Sequence, residues 1–226
     1  MRARPGWHVY LALRHIYSSY YTFRRNYREL QLALDTYKQP GITLESLWVD
    51  SDFSVEKQMQ EINRLALNYL AATESLLDHV KNEILALYSE HPFKEEYFKK
   101  TNDSFAVNLR TFMEGLRNYT LHRNLPLSVA EFTVQEDNTL LGRIMLNTHK
   151  LRENASDWKG AGKSYLASME DKVDVGTLFA QHKTALTDLY NWLVGRQNEI
   201  HRKELSELRS LHQQLRETLR KERRST

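Results

Sequence analysis

Residues 55–89 read VEKQMQEINRLALNYLAATESLLDHVKNEILALYS and contain neither glycine nor proline. Within this stretch, apolar and small side chains recur every three or four residues, which is the spacing of one face of an α-helix. Asp52 or Ser54 can cap its start, and His91-Pro92 predicts its end. The stretch therefore predicts a long amphipathic helix and a fold built from helices. Its apolar stripe comprises Met59, Ile62, Ala66, Tyr69, Thr73, Leu76, Leu77, Val80, Ile84 and Leu87.

Glycine and proline are scarce in the whole chain, with 8 and 4 among 226 residues. A β-sandwich or barrel needs a turn about every 8–12 residues, so the composition excludes an all-β fold. The absence of cysteine excludes disulfide scaffolds, thiolate zinc sites and thiol catalysis. No run approaches the ~18 apolar residues of a membrane span, and the N-terminus lacks the apolar segment of a secretory signal. We therefore expect a cytoplasmic protein with no membrane partner.

Helical spacing and helix-ending residues predict several further elements. They are a helix over 8–37 ended by Gln39-Pro40-Gly41, an irregular segment 42–53, a short helical turn over 93–100, a helix over 104–122 capped from 102–104, helical signals at 148–155, a loop at 159–162 and a short helix over 163–171. The pattern changes at 128–146, where two short apolar runs flank Glu136-Asp137-Asn138 and predict a β-hairpin.

A final helix is predicted from the cap at Asp174 to about residue 222. At 1.5 Å per residue it would reach roughly 70 Å, so its end should project or pair. Leucines among alternating charges in 196–224 allow three interpretations: a helix that covers the bundle, a helix for self-association or a partner, and an RNA-backbone contact. The third would use Arg216, Arg220, Arg223 and Arg224.

The predicted architecture is all-α: a helical bundle with a small β-hairpin insertion and a long C-terminal helix. We divide it into an N-terminal helix and connecting segment that pack on the bundle (1–54), a helical core with the hairpin at about 128–146 (55–195), and a charged C-terminal helix (196–226).

The net charge of +3 is unevenly distributed along the chain. Residues 1–30 hold six arginines against one glutamate, residues 196–226 hold nine basic residues against five glutamates, and the middle carries −6. Basic ends on an acidic middle can mean contact with a polyanion, although solvated helix faces are the commoner explanation of such a pattern. In the N-terminal segment, tyrosines alternate with arginines, a pattern that suits base stacking or half-buried packing.

The predicted helix 104–122 carries polar residues away from its apolar stripe, which runs through Phe105, Leu109, Phe112, Leu116 and Tyr119. On a helical wheel the half facing away from this stripe holds Glu114, Gly115, Arg117, Asn118 and His122. Because glycine has no side chain, Gly115 predicts that another backbone comes close to this face.

Arg117, Asn118 and His122 form a candidate catalytic set at the end of this helix. Asn118 and His122 are i,i+4 neighbours, and Pro126 discourages helix at Leu125, which leaves His122 in the last turn. A fixed cation, an amide and a titrating imidazole suit phosphoryl transfer without a metal. In-line RNA cleavage needs a base and an acid, which a twofold dimer of this face would supply.

The segment Arg117-Asn118-Tyr119-Thr120-Leu121-His122 resembles the R-x4–6-H motif of the HEPN superfamily, including the polar residue directly after the arginine. The preceding helix is similar to the partner helix of HEPN bundles in three short strings, Asn63-Arg64, Asn68-Tyr69-Leu70 and Ser75-Leu76-Leu77-Asp78-His79. With Leu125-Pro126 added, the resemblance extends to bacterial HEPN-like proteins and covers about residues 55–126, a third of the chain.

The resemblance implies a helical bundle that forms a homodimer and acts as a metal-independent ribonuclease in toxin–antitoxin systems or phage defence. By position, Arg117 would stabilise the scissile phosphate, His122 would be the acid/base, and Asn118 would orient it or the RNA. Glu114, Asn68 and Arg123 complete the expected substrate-binding set. No metal and no cofactor are expected.

The chain departs from the best-known HEPN toxins at one position. Those toxins carry a tyrosine two residues after the histidine, where a partner nucleotidyltransferase modifies them, and here that residue is Asn124. This mode of neutralisation by an antitoxin is therefore in question. Some HEPN domains have no catalytic activity, so the alternative is a helical RNA-binding or protein-interaction module of the same fold.

Overall fold

The computed structural model describes residues 5–36, 55–102, 104–134, 140–154 and 158–225. The described residues form eight α-helices and one small antiparallel sheet, which confirms the predicted fold class. In chain order the elements are α1 (Pro5–Asp35), α2 (Val55–Leu87), α3 (Phe93–Thr101), α4 (Ser104–His122), β1 (Leu127–Val134), β2 (Leu140–Asn147), α5 (Thr148–Glu153), α6 (Gly160–Ser168), β3 (Lys172–Asp174), α7 (Val175–Ile200) and α8 (Arg202–Ser225).

The two longest helices, α1 and α2, pack antiparallel along their length. His15 Nδ1 lies 2.9 Å from a Glu83 carboxylate oxygen, and Ser19 Oγ lies 2.6 Å from His79 Nδ1. The predicted stripe of α2 is the buried one, since Ile62, Ala66, Tyr69, Leu76, Val80 and Ile84 are all at most 5% exposed. The apolar periodicity of the sequence therefore identified the core face of this helix correctly.

Helix α4 crosses the core antiparallel to α2. The Leu125 amide, just beyond the end of α4, donates to the side-chain oxygen of Asn63 at 3.1 Å. Leu109, Phe112 and Leu116 are fully buried, in agreement with the predicted stripe. Helix α4 ends at His122, as expected from Pro126.

The hairpin of β1 and β2 is confirmed, with Leu127 opposite Leu146 and Val134 opposite Leu140. A third strand, β3, pairs antiparallel with β2 and was not predicted. Its three residues are too few to carry an alternating pattern. The predicted turn at 136–138, the helix stop at 39–41, the irregular segment 42–53 and the caps Asp52 and Ser54 lie outside the described residues.

The loop predicted at 159–162 is wrong, because α6 begins at Gly160. Gly160 has a φ of 49°, a conformation that glycine adopts without steric cost, and it turns the chain into the helix. Gly162 then lies against α4: a Cβ there would be 2.7 Å from the Thr111 carbonyl oxygen. The two glycines indicate a loop by composition, but their roles are a helix start and a close helix contact.

The single C-terminal helix predicted from Asp174 is also wrong in one respect. The Asp174 carboxylate caps α7 by accepting from the Thr177 amide at 2.5 Å, as expected, but the helix breaks at His201. Helices α7 and α8 together run antiparallel to α1, where Tyr20 stacks on Tyr190 and a Cβ on Gly6 would be 2.9 Å from the Glu204 carbonyl oxygen.

Only the first part of α8 covers the bundle. Leu205 is buried, whereas Leu211, Leu215 and Leu219 are 37%, 56% and 50% exposed. The C-terminal part of the helix therefore presents its leucines to solvent, as expected of an end that projects from the bundle.

Candidate functional site

The three residues of the motif lie in the last two turns of α4. His122 occupies the final turn and is exposed, and Asn118, one turn earlier, is exposed on the same side. Among the described residues, no side chain forms a hydrogen bond or ion pair with His122. Asn63 holds the chain directly after this turn through the Leu125 amide, so the imidazole sits on an anchored helix end.

Arg117 differs from its two neighbours because its side chain is half-buried. Its Nη1 donates to Asn118 Oδ1 at 3.3 Å. Its Nε is buried and has no acceptor among the described residues. A guanidinium carries five N–H donors, so Arg117 retains donors that an incoming anion could use.

A carboxylate of α2 lies within electrostatic reach of this arginine. Burial raises the pKa of Glu74, the positive charge of Arg117 lowers it, and the negative charges of Glu114 and Asp78 raise it. The carboxyl group of Glu74 therefore holds its proton to a higher pH than an exposed glutamate would. The environment of Arg117 is consequently acidic on the α2 side.

The carboxylates share a groove of about 290 Å³ between α2, α3 and α4. Glu74, Asp78 and Glu114 line it, together with the cations Lys81 and Arg110. Glu114, predicted to bind substrate, therefore belongs to an acidic groove beside the motif. Carboxylates repel phosphate, so its position favours contact with a cation, an amide or a hydroxyl.

The contact at Gly115 differs from the predicted close approach of another backbone. The indole of Trp158 covers this glycine, and a Cβ there would lie 2.6 Å from the ring atom Cε3. Trp158 is 3% exposed and stacks on Phe112. The close approach that Gly115 permits is made by a side chain of the same protein, so the backbone approach predicted for this position is wrong.

The remaining predicted contacts lie near the motif without joining it. Asn68 is half-buried on α2, at the level between Asn63 and Glu74, and among the described residues it shares no hydrogen bond with Arg117 or His122. The guanidinium of Arg123 lies over the Tyr119 ring, 5.4 Å from its centroid.

Two residues that shape the site were not among the predicted site residues. Asn63 secures the end of α4, and Glu74 sets the charge around Arg117. Glu74 directly follows Thr73 of the apolar stripe. A carboxylate next to a buried stripe is the sequence feature that could have identified it as a site residue.

Within the described residues, no group of three His, Asp or Glu side chains is placed to hold a metal ion. No described helix is both long enough and apolar enough to cross a lipid bilayer. Comparison of the chain with protein-family models, with curated proteins and with solved structures finds no match.

Proposed function

We propose that the protein is a metal-independent endoribonuclease of the HEPN type whose active site combines the α4 ends of two copies. The observation that carries the proposal is that an exposed His122 and a half-buried Arg117 lie on one helix end; among the described residues, His122 has no hydrogen-bond partner and Arg117 Nε has no acceptor. Both belong to one anchored helix end.

The reaction would proceed by transesterification. His122 of one copy accepts the proton of the ribose 2′-hydroxyl, and the 2′-oxygen attacks phosphorus. The bond from phosphorus to the 5′-oxygen breaks, and His122 of the second copy donates a proton to that oxygen. The products are a 2′,3′-cyclic phosphate and a 5′-hydroxyl, so atoms and protons balance without a metal.

Arg117 would stabilise the extra negative charge on the pentavalent phosphate. Its hydrogen bond to Asn118 orients the guanidinium toward the exposed side of α4. Glu74 acts against this role, because its carboxylate competes for the same cation. Burial raises the pKa of Glu74, which extends to higher pH the range in which its carboxyl group is neutral and does not compete.

The acidic groove favours a second candidate function, a helical interaction module without catalysis. Glu74, Asp78 and Glu114 place negative charge near the half-buried Arg117. An arginine close to carboxylates can be purely structural. A toxin–antitoxin or defence role belongs to the first candidate, and an unspecified protein partner to the second.

The test is cleavage of an end-labelled RNA in EDTA by the wild type, His122→Ala and Arg117→Lys. We expect His122→Ala to lose at least about a hundredfold in rate, the usual contribution of an acid/base residue. The matched control is His212→Ala, which removes an exposed imidazole from α8. Phosphatase-resistant 3′ ends identify the cyclic phosphate.

Two results would contradict the proposal. One is equal cleavage by the wild type and His122→Ala, which would identify a contaminating nuclease. The other is no cleavage by wild-type protein that is folded and dimeric in sedimentation, which would favour the interaction module.

A further inference from the structure

A second candidate binding surface, rich in tyrosine and arginine, lies on α1, in a groove of about 520 Å³ between α1 and α7. We call it the α1 groove. Six of its lining residues carry the argument: Tyr17, Tyr21, Arg24, Arg25, Arg28 and Lys183. Positions 17, 21, 24 and 28 follow 4-3-4 spacing, so they form one stripe of about 16 Å along the helix.

The tyrosines of α1 have two different roles. Tyr20 is 6% exposed and stacks on Tyr190, with ring centroids 3.6 Å apart and planes 6° apart. Tyr17 and Tyr21 are 60% and 57% exposed. Packing therefore accounts for Tyr20 but not for the two rings that point to solvent, which are available to stack on a ligand.

The groove is also strongly basic. Among the described residues, no carboxylate forms an ion pair with Arg24, Arg28 or Lys183, whereas Arg25 pairs with Glu29 at 3.1 Å. The Arg24 guanidinium lies 5.9 Å from the centroid of the Tyr20 ring, and this contact leaves its charge uncompensated. Three cations that have no carboxylate partner in the described part of the chain thus lie beside two exposed rings, an arrangement that suits a phosphate backbone with unstacked bases.

We propose that the α1 groove binds single-stranded RNA, with bases stacked on Tyr17 and Tyr21 and phosphates neutralised by Arg24, Arg28 and Lys183. The rings need bases that are free of a duplex, because paired bases offer no face. The positive charges of the groove favour a polyanion over a neutral ligand.

The α1 groove is related to the end of α4 through helix α2. Tyr27 of α1 packs against Tyr69 of α2, with ring centroids 5.9 Å apart. Asn63 and Glu74, on either side of Tyr69, contact or influence the C-terminal half of α4. The end of the groove and the end of α4 thus lie at one level along α2. The role of substrate binding rests on the proposed function, whereas RNA binding itself does not.

The test measures fluorescence anisotropy of a labelled U20 oligonucleotide in EDTA, with the His122→Ala protein so that cleavage cannot interfere. We expect Tyr17→Ala/Tyr21→Ala to weaken binding at least about tenfold, because one stacked base contributes a factor of about five or more. Tyr17→Phe/Tyr21→Phe keeps both rings and should restore binding.

The cations are tested by the salt dependence of the dissociation constant. For single strands the logarithmic slope falls by about 0.7 for each phosphate contact that is lost. Arg24→Ala/Arg28→Ala should therefore reduce the slope by about 1.4. The matched control, Lys99→Ala/Lys100→Ala, removes the same charge from exposed positions of α3 and should leave the slope unchanged.

Three results would overturn this inference: no binding of U20, equal affinity for duplex RNA, or equal losses in the α1 and α3 variants. Thermal melts of each variant establish that it is folded. Wild-type cleavage is measured separately. Binding of U20 without cleavage would support RNA binding by the α1 groove and contradict the ribonuclease proposal. Cleavage that the groove variants leave unchanged would support the ribonuclease and contradict a role of the groove in substrate binding.

Discussion

Gly115 of α4 lies directly beneath the indole ring of Trp158, so that a Cβ on this glycine would be 2.6 Å from Cε3 and 2.7 Å from Cζ3. The ring also stacks on Phe112, one turn earlier in α4, at 5.2 Å between centroids. This contact joins the motif helix to the segment before α6, and it explains a glycine in a helix interior.

Gly115→Ala should destabilise the protein. The new methyl group must displace a buried indole that has little freedom to move, and overpacking of this kind costs about 1–3 kcal/mol. That cost exceeds the gain of about 1 kcal/mol that alanine brings to a helix. The free energy of unfolding in urea measures the balance.

Gly195→Ala is the matched control for that substitution. Gly195 also lies within a helix, α7, but no atom of the described residues outside that helix turn stands within 4 Å of its Cβ position. We expect this variant to gain about 0.5–1 kcal/mol. If both variants gained stability equally, the contact with Trp158 would not be rigid.

Tyr88→Phe should destabilise the junction of α7 and α8. The Tyr88 hydroxyl donates to the side-chain oxygen of Gln197, which is 1% exposed, and lies 2.6 Å from His201 Nε2. Removing the hydroxyl leaves a buried amide oxygen without its donor, at a cost of about 1–3 kcal/mol. Tyr17→Phe, at an exposed position, should change stability by less than about 0.5 kcal/mol, and a similar loss in both variants would contradict the role of the junction.

His182 should make the protein sensitive to mild acid. Burial lowers its pKa to about 3, and its Nδ1 shares a hydrogen bond of 2.9 Å with Tyr69. The unfolded chain takes up a proton near pH 6.5 and the folded protein does not, so stability is complete above that pH and falls as the pH drops toward 3.

The comparison of the wild type with His182→Gln isolates this effect. In the range from pH 6 to 4, the wild type should lose up to about 1.4 kcal/mol more per pH unit than the variant, which has no imidazole to titrate. Denaturant midpoints at several pH values give both slopes. Parallel slopes would show that His182 is protonated in the folded state.

Glu74→Gln should stabilise the folded protein relative to the wild type, by an amount that grows with pH. Because burial raises the pKa of Glu74 in the folded protein, the stabilising contribution of its proton is present at low pH and is lost as the pH rises through the folded pKa. The melting temperature of the variant relative to the wild type should therefore rise between pH 4 and pH 7. A difference in melting temperature that stays constant between pH 4 and pH 7 would contradict this effect of burial on Glu74.

Local patterns in the sequence were sufficient to predict most helices. The stripe from Ile62 to Ile84 and the stop before Pro126 follow from side-chain spacing and from proline, which act within one or two turns of the backbone. The hairpin was predicted for the same reason. By contrast, β3 and the start of α6 at Gly160 depend on distant partners that no local pattern contains.

The candidate site divides in the same way. The exposed His122 in the last turn of α4 could be predicted from the sequence, because helix geometry and one proline determine its position. The carboxylate of Glu74 and the amide of Asn63 could not, since both come from α2, some fifty residues earlier in the chain.

By itself, the sequence determined where most helices run, which faces are apolar and which residues end α4, because these properties arise from neighbours three or four residues apart. The tertiary structure alone decided that Trp158 covers Gly115, that Glu74 faces Arg117, and that Tyr17 and Tyr21 are exposed while Tyr20 is buried. These properties depend on which helix packs against which face. Helical periodicity makes a side chain available to a partner, but only the packing of the whole chain determines whether that partner is protein or solvent.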